Sequence, residues 1–447
     1  MRFVERERLR LRLPLISLAV AVLLGGLLML FGFSPSVAVA ALLALVTLAI
    51  GQRLGWATSL AGAVLILLFG NTVLLRLLPV LGIDLGIGNG IVLVVSSAAL
   101  LVWMYRRLPA IRLPGREALS VAGAALVVPV VTGAIAFFTL GLGQRMRVGW
   151  MMGTGTDTVW NTVASRYIVN DNGIAPWLNP NPSPLVNGLM ASWYAPGRGA
   201  SEQLLQHDVS RQSELLLLLF LLCGVLAGLI TARAVPANRI ALRWLAGIVG
   251  SAIPLTWYMS GFVIRFGFFN VAVAIAVLLC VWLIWSDLPG HSPASIGLLL
   301  VGTTVLLAAW APLAALSLSL AGTGALVHVR EVLRARERGL RAKVGIVTLG
   351  MATLQLVLYV LLVTLPDLTR DGAALGANGG VPEITPLDVV LAGVLMVAFA
   401  AVASVGLGAR HELLGVVVIL ISATVGIAYL TLQRRGMDTL WGYYPAG

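Results

Sequence analysis

Residues 214–232 read ELLLLLFLLCGVLAGLITA, and no charged residue follows Glu214 in this run. A helix needs about 20 mainly apolar residues to cross the hydrocarbon core of a bilayer, so the run predicts a membrane-spanning helix. Similar runs recur along the chain, without the alternation at every second residue that marks the strands of a membrane β-barrel. The sequence therefore predicts an all-α, polytopic membrane protein.

The composition of the chain agrees with this class. Of its 447 residues, 59% are hydrophobic and 11% are charged, and the mean hydropathy is +0.98. A water-soluble domain carries about 25% charged residues, so a soluble fold is excluded. Cys223 and Cys280 both lie in apolar runs, so we expect neither a disulfide framework nor a zinc site.

The apolar runs predict about thirteen spans, each close to the length that a bilayer requires. They lie near residues 14–33, 35–51, 56–75, 88–105, 118–142, 214–232, 241–262, 267–286, 294–310, 312–328, 344–365, 387–408 and 412–432. Re-entrant segments around Gly261 or Pro312 would change this count.

The spans divide the chain into four parts. We expect a five-span bundle (1–142), a polar loop (143–213), an eight-span bundle (214–432) and a tail (433–447). The tail stops abruptly after a cluster of charged and aromatic residues, so we expect the sequence to be cut short there.

Basic and acidic residues are distributed asymmetrically about the spans. With the N-terminus in the cytoplasm, the cytoplasmic connections hold 20 of the 30 Lys and Arg residues, and the opposite connections hold 11 of the 18 acids. The positive-inside rule predicts this distribution, which explains the net charge of +12 without a nucleic-acid partner. We therefore expect a multi-pass protein of the plasma (inner) membrane, with an extracytoplasmic loop 143–213.

The polar loop 143–213 contains two helical patterns. Thr156-Asp157-Thr158 opens the first, in which apolar residues recur at helical spacing as far as Ile168 and which should stop at Asn172-Gly173. A proline-rich turn separates it from a second short amphipathic segment, Val186 to Tyr194. Two surface helices joined by a stiff turn would form a lid over a membrane cavity that admits a lipid with a polar head.

Asp157 is the principal catalytic candidate. It is the first acid after the fifth predicted span, directly before a helical pattern. A structural role as N-cap of the helix would contribute about 1 kcal/mol. A catalytic or metal-binding role is equally compatible with this position, and one carboxylate can serve both purposes.

Several other residues are candidates for substrate binding. Arg166 and Arg198 could hold a phosphate through paired hydrogen bonds, although arginines at a membrane surface also extend their heads into water. Asp171 and His207 lie in the same loop. His207-Asp208 resembles an acid–base pair, but neighbours on a helix point apart, so solvated side chains are the simpler expectation for both.

Aromatic residues and one further arginine complete the set of candidates. Trp160 and Trp193 could stack on sugar rings, and interfacial anchoring is the alternative. Arg265 lies beside aromatic residues at the end of a predicted span, where a charge is costly unless it is paired. It could therefore meet an anionic lipid phosphate below the loop.

The stretch GTDTVWNTVASRYIVNDNG, residues 155–173, together with the layout of the spans, resembles membrane glycosyltransferases of the GT-C type. These include the polyprenyl-phosphate-dependent arabinosyl- and mannosyltransferases of actinobacterial cell envelopes. Related actinobacterial proteins have an acid, an aromatic–His pair and an Arg-x-Ile-x-x-x-Gly stretch. Asp157, Arg166, Ile168 and Gly173 resemble this pattern, whereas Trp160-Asn161 replaces the aromatic–His pair.

The resemblance implies transfer of a sugar from a polyprenyl-phosphate donor to a glycan or lipid acceptor on the outer face of the membrane. Asp157 would act as general base, and Arg166, Arg198 or Arg265 would hold the phosphate. A divalent ion (Mg²⁺, Mn²⁺ or Ca²⁺) at Asp157 could neutralise the leaving group. The missing histidine weakens the case for that ion.

Two other functions stay open, and an accessory scaffold without activity of its own is a third possibility. An envelope polysaccharide polymerase or ligase also has many spans and one large outer loop, and it would use the arginines and His207 rather than Asp157. A lipid-linked sugar flippase or exporter would need a polar path through the bilayer. No acid falls near the middle of a predicted span, which argues against such a path.

Overall fold

The computed structural model describes residues 17–18, 20–29, 31–51, 54–107, 114–140, 156–175, 184–335, 340–367, 386–407 and 410–436. These residues form helices joined by short turns, and no β-strand occurs among them. The predicted all-α class is confirmed for this part of the chain. The chain divides into two compact units, one of residues 1–179 and 184–283 and the other of residues 180–183 and 284–447.

The first unit contains the helices that follow in chain order. They are α1 (Val20–Met29), α2 (Ser36–Gly51), α3 (Trp56–Leu81), α4 (Leu85–Arg107), α5 (Arg116–Leu140), α6 (Thr156–Asn170), α7 (Pro184–Tyr194), α8 (Leu204–Ala234), α9 (Ile240–Ala252), α10 (Phe262–Phe266) and α11 (Phe269–Ser286). The boundary between the units falls near the end of α11.

Small residues let the long helices of the first unit approach closely. Helices α5, α8 and α9 pack against one another, and their seam contains Gly228 and Gly247. A Cβ on Gly228 would lie 2.8 Å from the Cα of Ala125, and one on Gly247 would lie 2.7 Å from the Cβ of Ala124. Close packing of this kind holds helices together in a bilayer, where apolar burial alone gives little preference for helix over lipid.

Helix α6 ends at Asn170, close to the stop predicted at Asn172-Gly173, and the structure fixes this end on α3. The N–H of Gly173 donates to the carbonyl of Ile168 at 2.8 Å, and the N–H of Ile174 donates to the carbonyl of Leu75 in α3 at 2.8 Å. Gly173 has φ +145°, and a Cβ there would lie 2.3 Å from the same carbonyl oxygen. Only glycine fits this turn, so Gly173 is required where the end of α6 meets α3.

Helix α7 differs from the prediction. All eleven residues of Pro184–Tyr194 are buried, so α7 is not a surface helix, and the predicted lid of two surface helices is wrong in this respect. The helix packs against α3, α6 and α8. One of its polar side chains, Ser192, accepts a hydrogen bond from Asn71 of α3 at 2.9 Å. Periodicity shows which side chains share a face but not whether water or protein covers it.

The second unit contains five described helices. They are α12 (Leu288–Trp310), α13 (Ala314–Ala335), α14 (Leu340–Tyr359), α15 (Pro386–Leu407) and α16 (Arg410–Gly436). The helix is interrupted by a 3₁₀ turn at Ala311–Leu313, at the boundary predicted near Pro312. Helices α12 and α13, on either side of this turn, pack against each other. At the start of α16, His411 stacks on the buried Trp285, which lies in the last residues of α11 and belongs to the second unit, with ring centroids 4.3 Å apart.

Eight helical stretches in the described residues are long and apolar enough to cross a membrane. They are Trp56–Leu81, Leu85–Arg106, Arg116–Thr139, Leu204–Ala234, Ile240–Phe266, Phe269–Ser286, Pro293–Arg330 and Val344–Asp367. The last but one includes the break at Pro312 and therefore holds two helices. The protein is thus polytopic and helical, and the count of thirteen spans stays a prediction.

Candidate functional site

Helix α6 is the platform of the candidate site, and its polar face is the buried one. Thr158, Thr162 and Ser165 are buried, whereas Trp160 and Tyr167 are 69% and 60% exposed. The predicted apolar stripe is confirmed, apart from Ile168, which is buried. An apolar exposed face suits contact with lipid. Helix α6 therefore turns its polar side chains toward the protein interior and its apolar side chains toward the lipid.

Asp157 lies in the first turn of α6 and is partly buried. Negative charge is favoured at a helix N-terminus, where backbone N–H groups carry partial positive charge. Gly267 lies against this turn, because a Cβ on Gly267 would lie 2.4 Å from the backbone nitrogen of Thr158. Asn161 donates to the carbonyl of Gly267 at 3.0 Å. The exposed Arg265 is two residues away in α10, so the structure brings Arg265 to the Asp157 end of α6.

Arg166 and Arg198 converge on one buried carboxylate. Arg166 Nε lies 3.2 Å from Asp208 Oδ2, and Arg198 Nε lies 3.1 Å from Asp208 Oδ1. Asp208 is fully buried, so the expectation of a solvated side chain is wrong for this residue. Arg198 also donates from Nη1 to Asn170 Oδ1 at 2.9 Å. The cluster keeps a net positive charge, and the guanidinium of Arg166 is one-third exposed.

A second set of buried hydrogen bonds adjoins this ion cluster. Gln212 Oε1 accepts from Tyr194 Oη at 2.6 Å and from Thr162 Oγ1 at 2.8 Å. Burial, and then the carboxylate of Asp208, raise the pKa of Tyr194, so its phenol stays protonated and donates. His207 is only partly buried, and its Nε2 lies 3.0 Å from the carbonyl oxygen of Tyr194. These contacts fix the start of α8 against α6 and α7.

A third polar group, at Arg211 and Glu214, was not predicted. Arg211 Nη1 lies 3.2 Å from Glu214 Oε2, and Arg211 Nη2 donates to the carbonyl of Gly32 at 2.7 Å. Glu214 Oε1 accepts from Ser36 Oγ at 2.5 Å and also from Ser34. The sequence does place Arg211 and Glu214 directly before a long apolar run, and this could have indicated the group. The same pattern is also typical of an ordinary helix end at the membrane surface.

The same end of α8 touches the turn after α1. Gly32 and Gly197 approach so closely that a Cβ on Gly197 would lie 2.5 Å from the Cα of Gly32. Both residues have positive φ, +83° and +74°, a conformation that favours glycine. The turns after α1 and α7 therefore meet beside the ion cluster.

Five of the predicted residues lie in two places within the first unit. Asp157 and Arg265 lie at the start of α6, and Arg166, Arg198 and His207 lie around Asp208 and Tyr194. Arg166 is nine residues after Asp157, about 14 Å along a helix that rises about 1.5 Å per residue.

The two tryptophans lie in different surroundings, and other predicted features lie outside the described residues. Trp160 is exposed on α6, whereas Trp193 is buried in α7. Asp171 is partly buried at the far end of α6, about 20 Å from its start. The first part of loop 143–213 (143–155), its proline-rich turn (176–183) and most of the tail 433–447 lie outside the described residues.

The described residues do not form a metal site by themselves. Within the described ranges there is no group of three or more His, Cys, Asp and Glu side chains that could hold an ion. Asp157 and Asp171 are too far apart on α6 to share one, and Asn161 occupies the position where a histidine was expected. No catalytic step through a metal follows from these side chains.

The fold and the site together define a class of protein. It is a polytopic helical membrane protein whose first unit carries two separate polar groups, one at Asp157 and Arg265 and the other at Arg166, Arg198 and His207 around Asp208 and Tyr194. No family model, curated protein or solved structure matches the chain.

Proposed function

We propose that the protein is a membrane glycosyltransferase that moves a sugar from a polyprenyl-phosphate donor to a glycan or lipid acceptor of the cell envelope. The observation that carries the proposal is the placement of α6. Its exposed face is apolar, its first turn holds Asp157, and its buried face meets a cationic cluster. A lipid substrate with an anionic head and a sugar needs contacts of these three kinds.

The proposal assigns the proton transfer to Asp157. The acceptor hydroxyl oxygen attacks the anomeric carbon, the bond from that carbon to the phosphate oxygen breaks, and the hydroxyl proton passes to the Asp157 carboxylate. Polyprenyl phosphate is the leaving group. The sugar chemistry itself rests on the resemblance of residues 155–173 to GT-C enzymes.

The proposal divides the arginines between two roles. Arg265 belongs to the helix that meets the start of α6, so it is the arginine placed to hold the leaving phosphate. Arg166 and Arg198 are already paired with Asp208 and lie about 14 Å further along α6. They suit a second anionic or polar group of the donor or acceptor, and Arg166 is exposed enough to reach it.

The proposed topology follows the charge distribution of the sequence. In the proposed topology the chain crosses the plasma membrane about thirteen times, with the N-terminus in the cytoplasm and segment 143–213 on the outer face. The length of α8 supports a polar end outside the hydrocarbon core. Its 31 residues extend about 46 Å, whereas the core is about 30 Å thick.

A transfer assay with Asp157→Asn tests the proposal directly. Purified protein in nanodiscs would receive polyprenyl-phosphate donors carrying radiolabelled arabinose or mannose, with an envelope glycan fraction as acceptor. Because general-base catalysis contributes about 10²–10⁴-fold, the variant should lose at least about 100-fold of the transfer rate. Glu202→Gln is the matched control, since Glu202 is exposed on the same segment, and it should transfer at the native rate.

A polymerase or ligase is the second candidate, and one observation favours it. Arg198 and His207 lie in the same cluster around Asp208 and Tyr194 rather than apart. In that case Arg198→Lys and His207→Gln would abolish activity at unchanged protein abundance, while Asp157→Asn would retain it. Unchanged transfer by Asp157→Asn would remove Asp157 from the mechanism.

A further inference from the structure

Three candidate membrane spans of the first unit end at one place. Helix α5 begins at Arg116, α9 begins at Ile240 and α8 ends at Ala234, and these three helices pack against one another. Asp208, near the start of α8, is about 39 Å away along that helix. This end of the bundle is therefore remote from the polar groups of the candidate site.

An ion pair and two hydrogen bonds join the three helices at this end. Arg243 of α9 is only 4% exposed, and its Nη2 lies 3.1 Å from Glu117 Oε1 of α5. Its Nε and Nη2 also donate to the carbonyl of Val235, directly after α8, at 3.3 Å and 3.1 Å. Residues 114–120 and 232–243 contain four arginines and one acid, Glu117. Arg243 therefore uses the one counter-charge that these segments offer.

Arg116 and Arg239 lie beside this ion pair and keep their charge. Arg116 directly precedes Glu117, and Arg239 lies one helical turn, about 6 Å, before Arg243. Both residues are exposed, and neither side chain has an ion pair in the part of the chain that the structure describes. Two neighbouring guanidinium groups without a counter-charge suit one anionic group that both can contact.

An apolar surface continues from these arginines along the seam between α5 and α9. The indole of Trp244 in α9 lies on Gly123 of α5, where a Cβ would lie 3.1 Å from the ring. Gly123 is seven residues after Arg116, about two helical turns, and so lies on the same side of α5. Val130, seven residues further, is 60% exposed. A cationic end, a tryptophan and an apolar side chain thus follow one another over about 21 Å.

This order of residues matches the layers of a membrane. Arginines at the end of a span lie at the level of the lipid phosphates, tryptophan is enriched at the interface just below, and apolar side chains face the hydrocarbon. A soluble anion would contact the arginines alone. A lipid with an anionic head contacts all three parts of the surface, so the arrangement favours a lipid.

We propose that Arg116 and Arg239 bind the phosphate of one anionic glycerophospholipid, whose acyl chains lie on Trp244 and Val130 along the seam of α5 and α9. Guanidinium groups form paired hydrogen bonds with phosphate oxygens, which fixes the head as well as attracting it. The site is separate from the phosphate contact assigned to Arg265. It stands in either leaflet, and whether or not the protein transfers sugar.

Photo-crosslinking in phosphatidylcholine nanodiscs tests this site. The probe is a trace of phosphatidylglycerol with a diazirine in one acyl chain, and the matched probe is phosphatidylcholine with the same chains. Each arginine near an anionic lipid adds about fivefold to binding, so phosphatidylglycerol should label α5 and α9 at least about tenfold more. Equal labelling by the two probes would overturn the proposal. Displacement of the lipid by inorganic phosphate would show a site for soluble anions instead.

Arg116→Gln and Arg239→Gln test the head of the site. Each should lower labelling by phosphatidylglycerol about fivefold and melt like the native protein, since neither side chain has an ion pair to lose. Arg106→Gln is the matched control. Arg106 is exposed at the end of α4, which packs on α2, α3 and α7, and its variant should label natively. An equal fall in all three variants would show a general effect of surface charge and refute the site.

Trp244→Ala tests the apolar part of the site. Removal of the indole should lower labelling by phosphatidylglycerol several-fold. The matched control is Trp103→Ala in α4, because Trp103 is 40% exposed and Trp244 is 37% exposed, and this control should label natively. Binding is measured without any sugar donor, so a negative transfer assay would leave the result intact. Native labelling of a folded Trp244→Ala variant would contradict the placement of the acyl chains on this seam.

Discussion

Asp208 shows how a single residue can organise the polar end of a membrane bundle. Its carboxylate is fully buried and faces the Nε atoms of both Arg166 and Arg198. Burying a carboxylate is costly unless cations and hydrogen bonds replace its water. The two arginines provide that replacement, and in return the carboxylate holds α6 and the turn at Arg198 against α8.

Asp208→Asn should therefore destabilise the protein. The amide is nearly isosteric but neutral, so two arginines would face each other without their counter-charge. Breaking a buried ion pair from one side costs about 3–5 kcal/mol, and partial exposure of Arg166 places the expected loss near the lower limit, about 3 kcal/mol. Thermal unfolding in one detergent, followed by intrinsic fluorescence, measures the effect.

Asp84→Asn is the control for this substitution. Asp84 is exposed and accepts a hydrogen bond from the N–H of Ile87, a role that asparagine also fills. The free energy of unfolding of this variant should differ from that of the native protein by no more than about 0.5 kcal/mol. Equal melting temperatures of the two variants would contradict the role assigned to Asp208.

At the scale of elements, α6 and α7 are positioned by turns rather than by their own propensity. Helix α6 places its hydroxyl-bearing face inward and its apolar residues outward, the reverse of a helix on a soluble protein. Helix α7 has no exposed face at all. Close contacts at Gly173, Gly197 and Gly267 hold these helices, since each glycine lies where a side chain would meet backbone.

Gly173→Ala tests this positioning. With φ +145° and backbone 2.3 Å from the new Cβ, alanine must displace either α3 or the end of α6. Strained backbone of this kind costs about 1–3 kcal/mol, and the clash adds to it, so the melting temperature should fall clearly. Gly199→Ala is the matched control, because a Cβ there meets nothing within 4 Å, and it should melt like the native protein. A tolerated Gly173→Ala would show that α6 is held in another way.

At the scale of the whole molecule, the proposal depends on which face of the membrane bears the polar cluster. Arginine-rich connections were assigned to the cytoplasm because of the positive-inside rule. The exposed positions Glu202 and Asn238 lie at the two ends of α8, so they should lie on opposite sides of a membrane that α8 crosses.

Cysteine labelling on intact cells checks this orientation. In a variant with Cys223 and Cys280 replaced by alanine, a membrane-impermeant maleimide should label Glu202→Cys but not Asn238→Cys. Lysis of the cells should make Asn238→Cys reactive, which controls for its exposure. The opposite pattern would place Asp157 in the cytoplasm and remove the outer-face glycosyltransferase proposal.

Local patterns in the sequence were sufficient to predict the class of helical membrane protein and the helix α6. Apolar runs predicted helices such as α3 and α8, since a bilayer imposes length and hydrophobicity on every span. The apolar stripe of α6 and its stop at Asn172-Gly173 also depend only on neighbouring residues. Arg166, Arg198 and Trp193 were recognised as polar or aromatic residues in an apolar chain.

The tertiary structure alone decided which of these residues meet. The spacing of the sequence predicted that Asp208 is solvated, but the fold buries its carboxylate between Arg166 and Arg198. The fold also separates these two arginines from Asp157, which lies at the other end of α6. The burial of α7 arises from helices distant in sequence. The physical reason is that hydrophobicity and helical period act within one segment, whereas ion pairs, close glycine contacts and cavities depend on how segments approach one another.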